Sequence, residues 1–129
     1  MLLVADDDPG IIMLLESVLR IKDWECHFVT NGLQALVLAR KLLPDLLVLD
    51  IEMPLMSGLE VLKRIRRDAK TNRVKILLLT GSSDRKDVQE GLSFGADDYL
   101  AKPFSHLTLL HRVRKLLYSS STVPPVKAE

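Results

Sequence analysis

The chain has 129 residues, enough for one domain that buries roughly two-thirds of its unfolded surface. Lys and Arg total 18 against 17 Asp and Glu, so net charge selects neither nucleic acid nor a strongly charged partner. One cysteine, Cys26, excludes an internal disulfide and suits a reducing, cytoplasmic setting, and no apolar run approaches the ~20 residues that span a bilayer.

Leu2 to Ala5 is a short apolar strand, far shorter than a signal-peptide core. Asp8 then offers an N-cap carboxylate and Pro9 suits the first helical position, so a helix is expected to about Arg20, with Ile11, Ile12, Leu15, Val18 and Leu19 at helical spacing. Cys26 to Thr30 reads as a second, partly exposed strand. Asn31-Gly32 opens a helix that is expected to turn Leu33, Leu36, Val37 and Leu43 to one face before Pro44 ends it. Leu46 to Leu49 is apolar at every position, as a parallel strand covered on both faces must be.

After Asp50, Met53-Pro54 and Ser57-Gly58 punctuate a loop, and a helix from about Leu59 to Asp68 turns Val61, Leu62 and Ile65 inward. Ile76 to Leu79 is the next fully apolar strand. A Gly81-Ser82-Ser83-Asp84 loop leads to a helix that ends near Phe94, with Gly95 as its C-terminal cap. Asp98 to Ala101 is a last short strand, and Ser105 caps a helix carrying Leu107, Leu110, Val113, Leu116 and Leu117. From Ser119 the composition turns to Ser, Thr, Pro, Lys and Glu, so residues 1–118 read as the domain and 119–129 as a flexible tail or linker. Five alternations of strand and helix with short connections imply a parallel sheet with helices on both faces.

In such a sheet ligands bind outside the carboxyl ends of the strands. Asp6-Asp7-Asp8, Asp50, Thr80 and Lys102 each stand just past an apolar strand, so, Asp8 apart, three carboxylates, a hydroxyl and an ammonium are directed to one crevice. Asp8, directly before Pro9, reads as a helix cap rather than a ligand. Asp6 and Asp7 would approach Asp50 if the first and third strands are neighbours, and like charges that close need a proton or a cation between them. Oxygen-only donors suit Mg²⁺, and no His or Cys pair stands at zinc-ligand spacing.

The stretches Val4-Ala5-Asp6-Asp7-Asp8, Leu49-Asp50-Ile51-Glu52-Met53-Pro54-Leu55-Met56-Ser57-Gly58, Leu79-Thr80-Gly81 and Gly95-Ala96-Asp97-Asp98-Tyr99-Leu100-Ala101-Lys102-Pro103-Phe104 resemble the receiver domain of bacterial two-component response regulators over residues 2 to 118. The resemblance implies a flavodoxin-like, doubly wound α/β fold with five parallel strands in the order 2-1-3-4-5 and five helices. It makes Asp50 the phospho-acceptor and Asp7, Asp50 and the Glu52 backbone carbonyl the ligands of Mg²⁺, or of Mn²⁺ in its place, with Asp6 acting through water. Thr80 and Lys102 would contact the phosphoryl oxygens, Thr80 and Tyr99 would form the switch, and Lys102-Pro103 would be a cis bond. The implied partners are a sensor histidine kinase or histidine phosphotransfer protein as donor and a downstream output domain or protein. The domain would be a phosphorylation-controlled switch of a phosphorelay, assisting its own phosphorylation and dephosphorylation but turning over no metabolite. Ser57 stands where the family often has Asp, and Gly81 where Ala is commoner; neither replacement touches a chemical group.

Two rival readings rank below this one. Asp6 and Asp8 have the Asp-x-Asp spacing of haloacid-dehalogenase-like phosphatases, but Pro9 follows and little chain is left for a substrate cap. A pseudo-receiver adaptor would not need so complete a site. The basic stretch Lys63, Arg64, Arg66, Arg67, Lys70, Arg73 and Lys75 lacks interleaved aromatics and reads as a solvated helix face rather than a direct nucleic-acid contact. His106 and His111 read as ordinary surface residues, and Trp24 as a turn residue resting on the fold. Asp97, Asp98 and Arg112 match the charge pattern of a phosphorylation-dependent homodimer, while Glu90 and Thr108 depart from it. The linker-like composition of 119–129 favours a receiver from a longer regulator or hybrid kinase, with a stand-alone switch as the alternative.

Overall fold

Runs of aliphatic side chains without a polar break are stable as strands only when both faces of the sheet are covered, and two such runs, Leu46 to Leu49 and Ile76 to Leu79, occupy its centre. The computed structural model describes residues 1–20, 22–81 and 85–119. In chain order the elements are β1 (Leu2–Ala5), α1 (Pro9–Arg20), β2 (Cys26–Val29), α2 (Gly32–Leu42), β3 (Leu46–Asp50), α3 (Gly58–Arg67), β4 (Lys75–Thr80), α4 (Arg85–Ser93), β5 (Asp98–Ala101) and α5 (His106–Ser119). All strand pairs are parallel and the order is β2-β1-β3-β4-β5, as expected.

Because successive strand residues point to opposite faces, the sheet supplies two cores. Leu3, Ala5, Leu47, Leu49, Ile76 and Leu78 pack under α2 and α3, while Leu2, Val4, Leu46, Val48, Leu77 and Leu79 pack under α1 and α5. Each fully buried aliphatic side chain contributes about 1.5–3 kcal/mol, so β1, β3 and β4 form the rigid centre. The edge elements are less rooted: β2 is half-buried, and the only fully buried residue of α4 is Gly91. Among the described residues no helix is long and apolar enough to cross a membrane.

Local signals mostly act as read. Asp8 caps α1, its Oδ1 accepting from the Gly10 N–H at 2.8 Å and its carbonyl from Ile12 at 3.0 Å. Asn31, Ser57 and Ser105 cap α2, α3 and α5 in the same way. Gly95 adopts φ 105°, and the bonds Ala96 N–H to Gly91 O and Gly95 N–H to Leu92 O complete a Schellman end to α4. Trp24 rests on the α1 side of the core and donates to Tyr118 Oη at 3.4 Å, and His106 and His111 are exposed.

Three expectations need correction. On α2 only Leu36 of the predicted apolar set is buried; Leu33, Val37 and Leu43 are 48%, 55% and 45% exposed. The buried stripe is Gly32, Ala35, Leu36 and Ala39, because small residues let α2 lie close to the sheet and its neighbouring loop. On α5 Leu107 is 79% exposed and Leu109, in phase with Val113 and Leu116, takes the core position. The helix also runs through Ser119, so the expected tail falls on 120–129, outside the described residues, as does the Ser82 to Asp84 part of the loop after β4.

Arg66 departs from the solvated basic face. Its Nε donates to Gly95 O at 2.8 Å, Nη1 to Val74 O at 2.6 Å and Asn72 O at 3.2 Å, and Nη2 to Asp97 Oδ2 at 2.9 Å. Asp97 Oδ2 in turn accepts the Ile76 N–H at 2.8 Å. One guanidinium thereby ties the end of α3 and the start of β4 to the turn before β5. Arg66→Ala is expected to lose about 2–4 kcal/mol in urea unfolding, since it leaves several carbonyls and a carboxylate without their charged donor. Arg67→Ala, on the exposed side, is expected to change stability by less than about 0.5 kcal/mol, and Arg66→Lys should not restore what a forked, planar donor supplies.

Candidate functional site

The register of the central strands decides which polar groups meet. Ala5 pairs with Leu49, so Asp6 and Asp50 emerge side by side from β1 and β3; Asp50 pairs with Leu79, which sets Thr80 one step beyond it on β4. Asp6, Asp50 and Thr80 are all buried, whereas Asp7 and Asp8 are exposed. One oxygen from each of Asp6, Asp7 and Asp50 lies within 4.8 Å of the others. Asp8 is not part of this group: its carboxylate is committed to the α1 cap, which removes one member of the phosphatase-like Asp-x-Asp pair.

Lys102 arrives from the end of β5, where its N–H donates to Thr80 O at 2.7 Å and the Lys102-Pro103 bond is cis. Its Nζ stands 2.8 Å from Asp6 Oδ2 and 3.5 Å from Asp50 Oδ2. The contact with Asp6 is close but poorly directed, so Asp6 Oδ2 is charge-compensated without a proper hydrogen bond. Burial, with the charge of Asp6, pushes the Asp50 carboxyl up to about 6, against the pull of Lys102 and the Glu52 N–H. Burial alone would lower Lys102, but its contacts with Asp6 and Asp50 outweigh it and hold the ammonium above the usual lysine value.

These charges do not balance: one ammonium faces three carboxylates, two of them buried. A hard divalent cation that takes oxygen donors fits the excess negative charge that Lys102 leaves on this group of carboxylates. The loop that follows Asp50 is held close by Ile51 N–H to Leu79 O at 3.1 Å and Gly58 N–H to Ile51 O at 2.7 Å. A Cβ on Gly58 would lie 2.0 Å from Asp50 O, so only glycine permits that approach. Ser57 accepts the Glu60 N–H at 3.2 Å, so its replacement of Asp leaves the turn intact. The Glu52 side chain is exposed at the rim.

Tyr99 pairs with Leu78 and so shares a sheet face with Thr80, two residues further along β4. It is 38% exposed, with its carbonyl held by Arg112 Nη1 at 2.7 Å. Asp6, Asp7, Asp50 and Lys102 thus meet at the crevice, Thr80 ends the strand next to Asp50, and Tyr99 lies one strand further out. Sequence reasoning missed Arg66 and Asp97 as a structural pair, because Arg66 stands inside a run of basic residues and its partners lie far along the chain.

A parallel α/β sheet with its polar site at the reversal between β1 and β3 defines a doubly wound domain of the flavodoxin-like class. Within that class the chain belongs to the response regulator receiver domain family, whose model matches residues 2–114. It is 41% identical over 123 residues to the DNA-binding response regulator MtrA of Mycolicibacterium smegmatis, covering 95% of this chain and 53% of that protein. The chemotaxis response regulator CheY4 of Vibrio cholerae superposes with a TM-score of 0.84 at 32% identity, covering 90% of this chain and 97% of that one. The receiver domain of sensor histidine kinase PA1611 from Pseudomonas aeruginosa, solved with a magnesium ion coordinated in its active site cleft, gives 0.83 at 28% identity over 90% of this chain and 95% of that one. The chain spans about half the length of the curated relatives it matches. Family membership makes it a signalling domain of a two-component system rather than an enzyme of metabolism.

The repulsion at the crevice is measurable without any ligand. At pH 7.5 the Asp50 carboxyl is ionised in both folded and unfolded chains, and its raised value means that ionisation opposes folding. Asp50→Asn is therefore expected to stabilise the protein in EDTA-containing buffer by about 1–2 kcal/mol, read as a higher urea midpoint with an unchanged slope. A lower midpoint would mean that the Lys102 contact outweighs the repulsion.

Proposed function

We propose that the domain is a phosphorylation-controlled switch that accepts a phosphoryl group on Asp50 from a phosphohistidine donor. The observation that carries this reading is the convergence of Asp6, Asp7 and Asp50 oxygens within 4.8 Å, with the Lys102 ammonium 2.8 Å from Asp6 and 3.5 Å from Asp50. Asp7, Asp50 and the Glu52 backbone carbonyl would hold Mg²⁺, or Mn²⁺ in its place, with Asp6 acting through water. Such an ion supplies neutralisation of phosphoryl oxygens.

In this reading an Asp50 oxygen attacks phosphorus while the phosphorus–nitrogen bond of the donor breaks, and the imidazole leaves with the bonding pair. Lys102 offsets the negative charge on the transferred group, and the Thr80 hydroxyl donates to one of its oxygens. Hydrolysis of the resulting acyl phosphate returns Asp50 to its free carboxylate. The donor would be a sensor histidine kinase or a histidine phosphotransfer protein. The receiver of a DNA-binding relative at 41% identity supports an output domain or protein downstream, and no direct nucleic-acid contact is proposed for this domain. For a phosphorylation-dependent homodimer, Asp98 and Arg112 are within 3.1 Å of each other in one chain, so pairing between chains would require that contact to be exchanged.

Asp50→Asn should abolish labelling by acetyl phosphate with Mg²⁺ while circular dichroism reports a retained fold. A stable phosphoryl group located on wild-type Ser57 or Thr80 by mass spectrometry would sink the assignment. Asp7→Asn should weaken Mg²⁺ binding more than Asp8→Asn, and equal losses in a metal titration would reject the ligand set. Thr80→Ala should still accept phosphate but show a blunted change in the aromatic NMR signals of Tyr99; an unaltered response would uncouple the two residues.

A further inference from the structure

We propose that Gly32, the first residue of α2, is a positioning residue for the loop between Asp50 and α3, and thereby for the cation site. The proposal rests on the reading that the Glu52 carbonyl faces the ion. Gly32 donates its N–H to Pro54 O at 3.3 Å, so one of the free N–H groups at the start of α2 is spent on that loop. The approach is closer than any other side chain would allow. A Cβ on Gly32 would lie 1.8 Å from Met56 O, 2.6 Å from Met56 C and 2.9 Å from Met56 Cβ. Gly32 shows no positive φ, so glycine is required here for proximity and not for backbone freedom.

The loop is also held in a conformation it would not choose alone. Leu55 has φ 70°, in the left-handed region that a leucine disfavours, and its side chain is 76% exposed. No packing of Leu55 itself offsets that strain, so neighbouring contacts must impose it. The contacts present are Gly32 N–H to Pro54 O, Met56 N–H to Pro54 O at 2.8 Å and Gly58 N–H to Ile51 O at 2.7 Å. The position of α2 is itself set by Ala35, Leu36 and Ala39 in the core and by the Asn31 cap, whose Oδ1 accepts the Gln34 N–H at 2.8 Å. The loop is thus pinched between two glycine contacts, Gly32 on one side and Gly58 against Asp50 O on the other. Glu52, whose N–H already bonds the Asp50 carboxylate, lies within this segment.

A Cβ at position 32 must push the loop or tilt α2, and either movement shifts the backbone that carries the Glu52 carbonyl. The test uses the full chain with Mg²⁺ alone, titrated by backbone-amide NMR without any phosphodonor. Gly32→Ala is expected to weaken Mg²⁺ binding roughly tenfold, as loss of an outer support of a metal site does, and to speed hydrogen exchange at Met56 and Gly58. Gly91→Ala is the control for a packing defect elsewhere, because its Cβ would clash with Leu78 Cδ1 of β4 at 2.3 Å and meet Leu59 only at an ordinary 3.7 Å. That variant should lose thermal stability yet keep its Mg²⁺ affinity. Mg²⁺ affinity in Gly32→Ala within about twofold of wild type, against the tenfold expected, overturns the proposal, as does an equal loss in Gly91→Ala. Should Gly32→Ala not fold, Asn31→Ala loosens the same helix start, and an unchanged affinity there overturns the proposal. A wild-type chain that fails to bind Mg²⁺ rejects the cation reading and this inference with it, whereas binding that ignores position 32 rejects only the inference.

Discussion

Two buried carboxylates side by side at the ends of adjacent strands, with a single ammonium between them, set the terms for the rest of this molecule. At about 4 Å two like charges repel by about 4 kcal/mol even at an effective dielectric of 20, a large fraction of the stability of a small domain. The sheet can hold Asp6 and Asp50 in that state only because β1 and β3 are fully buried along their length and cannot slide apart. Lys102 reaches both carboxylates from β5, across the end of β4. The Asp50 carboxyl, raised to about 6, registers what Lys102 leaves uncompensated. A domain built this way gains stability from anything positive that enters the crevice. In the proposed phosphorylation a phosphoryl group, itself negative, would need such a charge beside it.

The strength of that constraint explains why the site was legible in the sequence. Asp50 ends Leu46-Leu47-Val48-Leu49 and Thr80 ends Ile76-Leu77-Leu78-Leu79, and a polar residue after an unbroken aliphatic strand has few places to go but the sheet's carboxyl edge. Register, by contrast, is fixed by strand pairing that only the folded sheet makes. The pairing of Ala5 with Leu49 is what converts three separate acidic positions into one cluster.

Helix phase was the less legible part. α2 carries apolar residues at 33, 35, 36, 37 and 38, enough to draw more than one stripe, and the deciding factor was size rather than hydrophobicity. Small residues at 32, 35 and 39 permit close approach, which leaves larger Leu33 and Val37 outside. Arg66 was hidden for a related reason. Among neighbouring basic residues nothing local distinguishes the one whose guanidinium meets Gly95 O, Val74 O and Asp97. Its partners come from elements 6 to 31 residues away, and only the folded chain brings them together.

The same structure distributes rigidity unevenly. β1, β3 and β4 are buried throughout except at Lys75, α3 is anchored through Arg66, and the loop after Asp50 is clasped by two glycine contacts. On the other side of Thr80, α4 buries only Gly91 fully and Tyr99 is part-exposed. A shift from 1:99 to 99:1 between two packings needs about 5.5 kcal/mol of differential interaction, whereas one neutral hydrogen bond from Thr80 supplies about 0.5–1.5. In the proposed switch the hydroxyl therefore cannot drive Tyr99 alone, and neutralisation at Asp50 through Lys102 and a cation must carry most of the difference. A weakly rooted α4–β5 face reduces that demand, because the two packings begin closer in energy. In the proposed switch the stiff half would hold the charges and the weakly rooted half would respond to them, with Thr80 at the boundary.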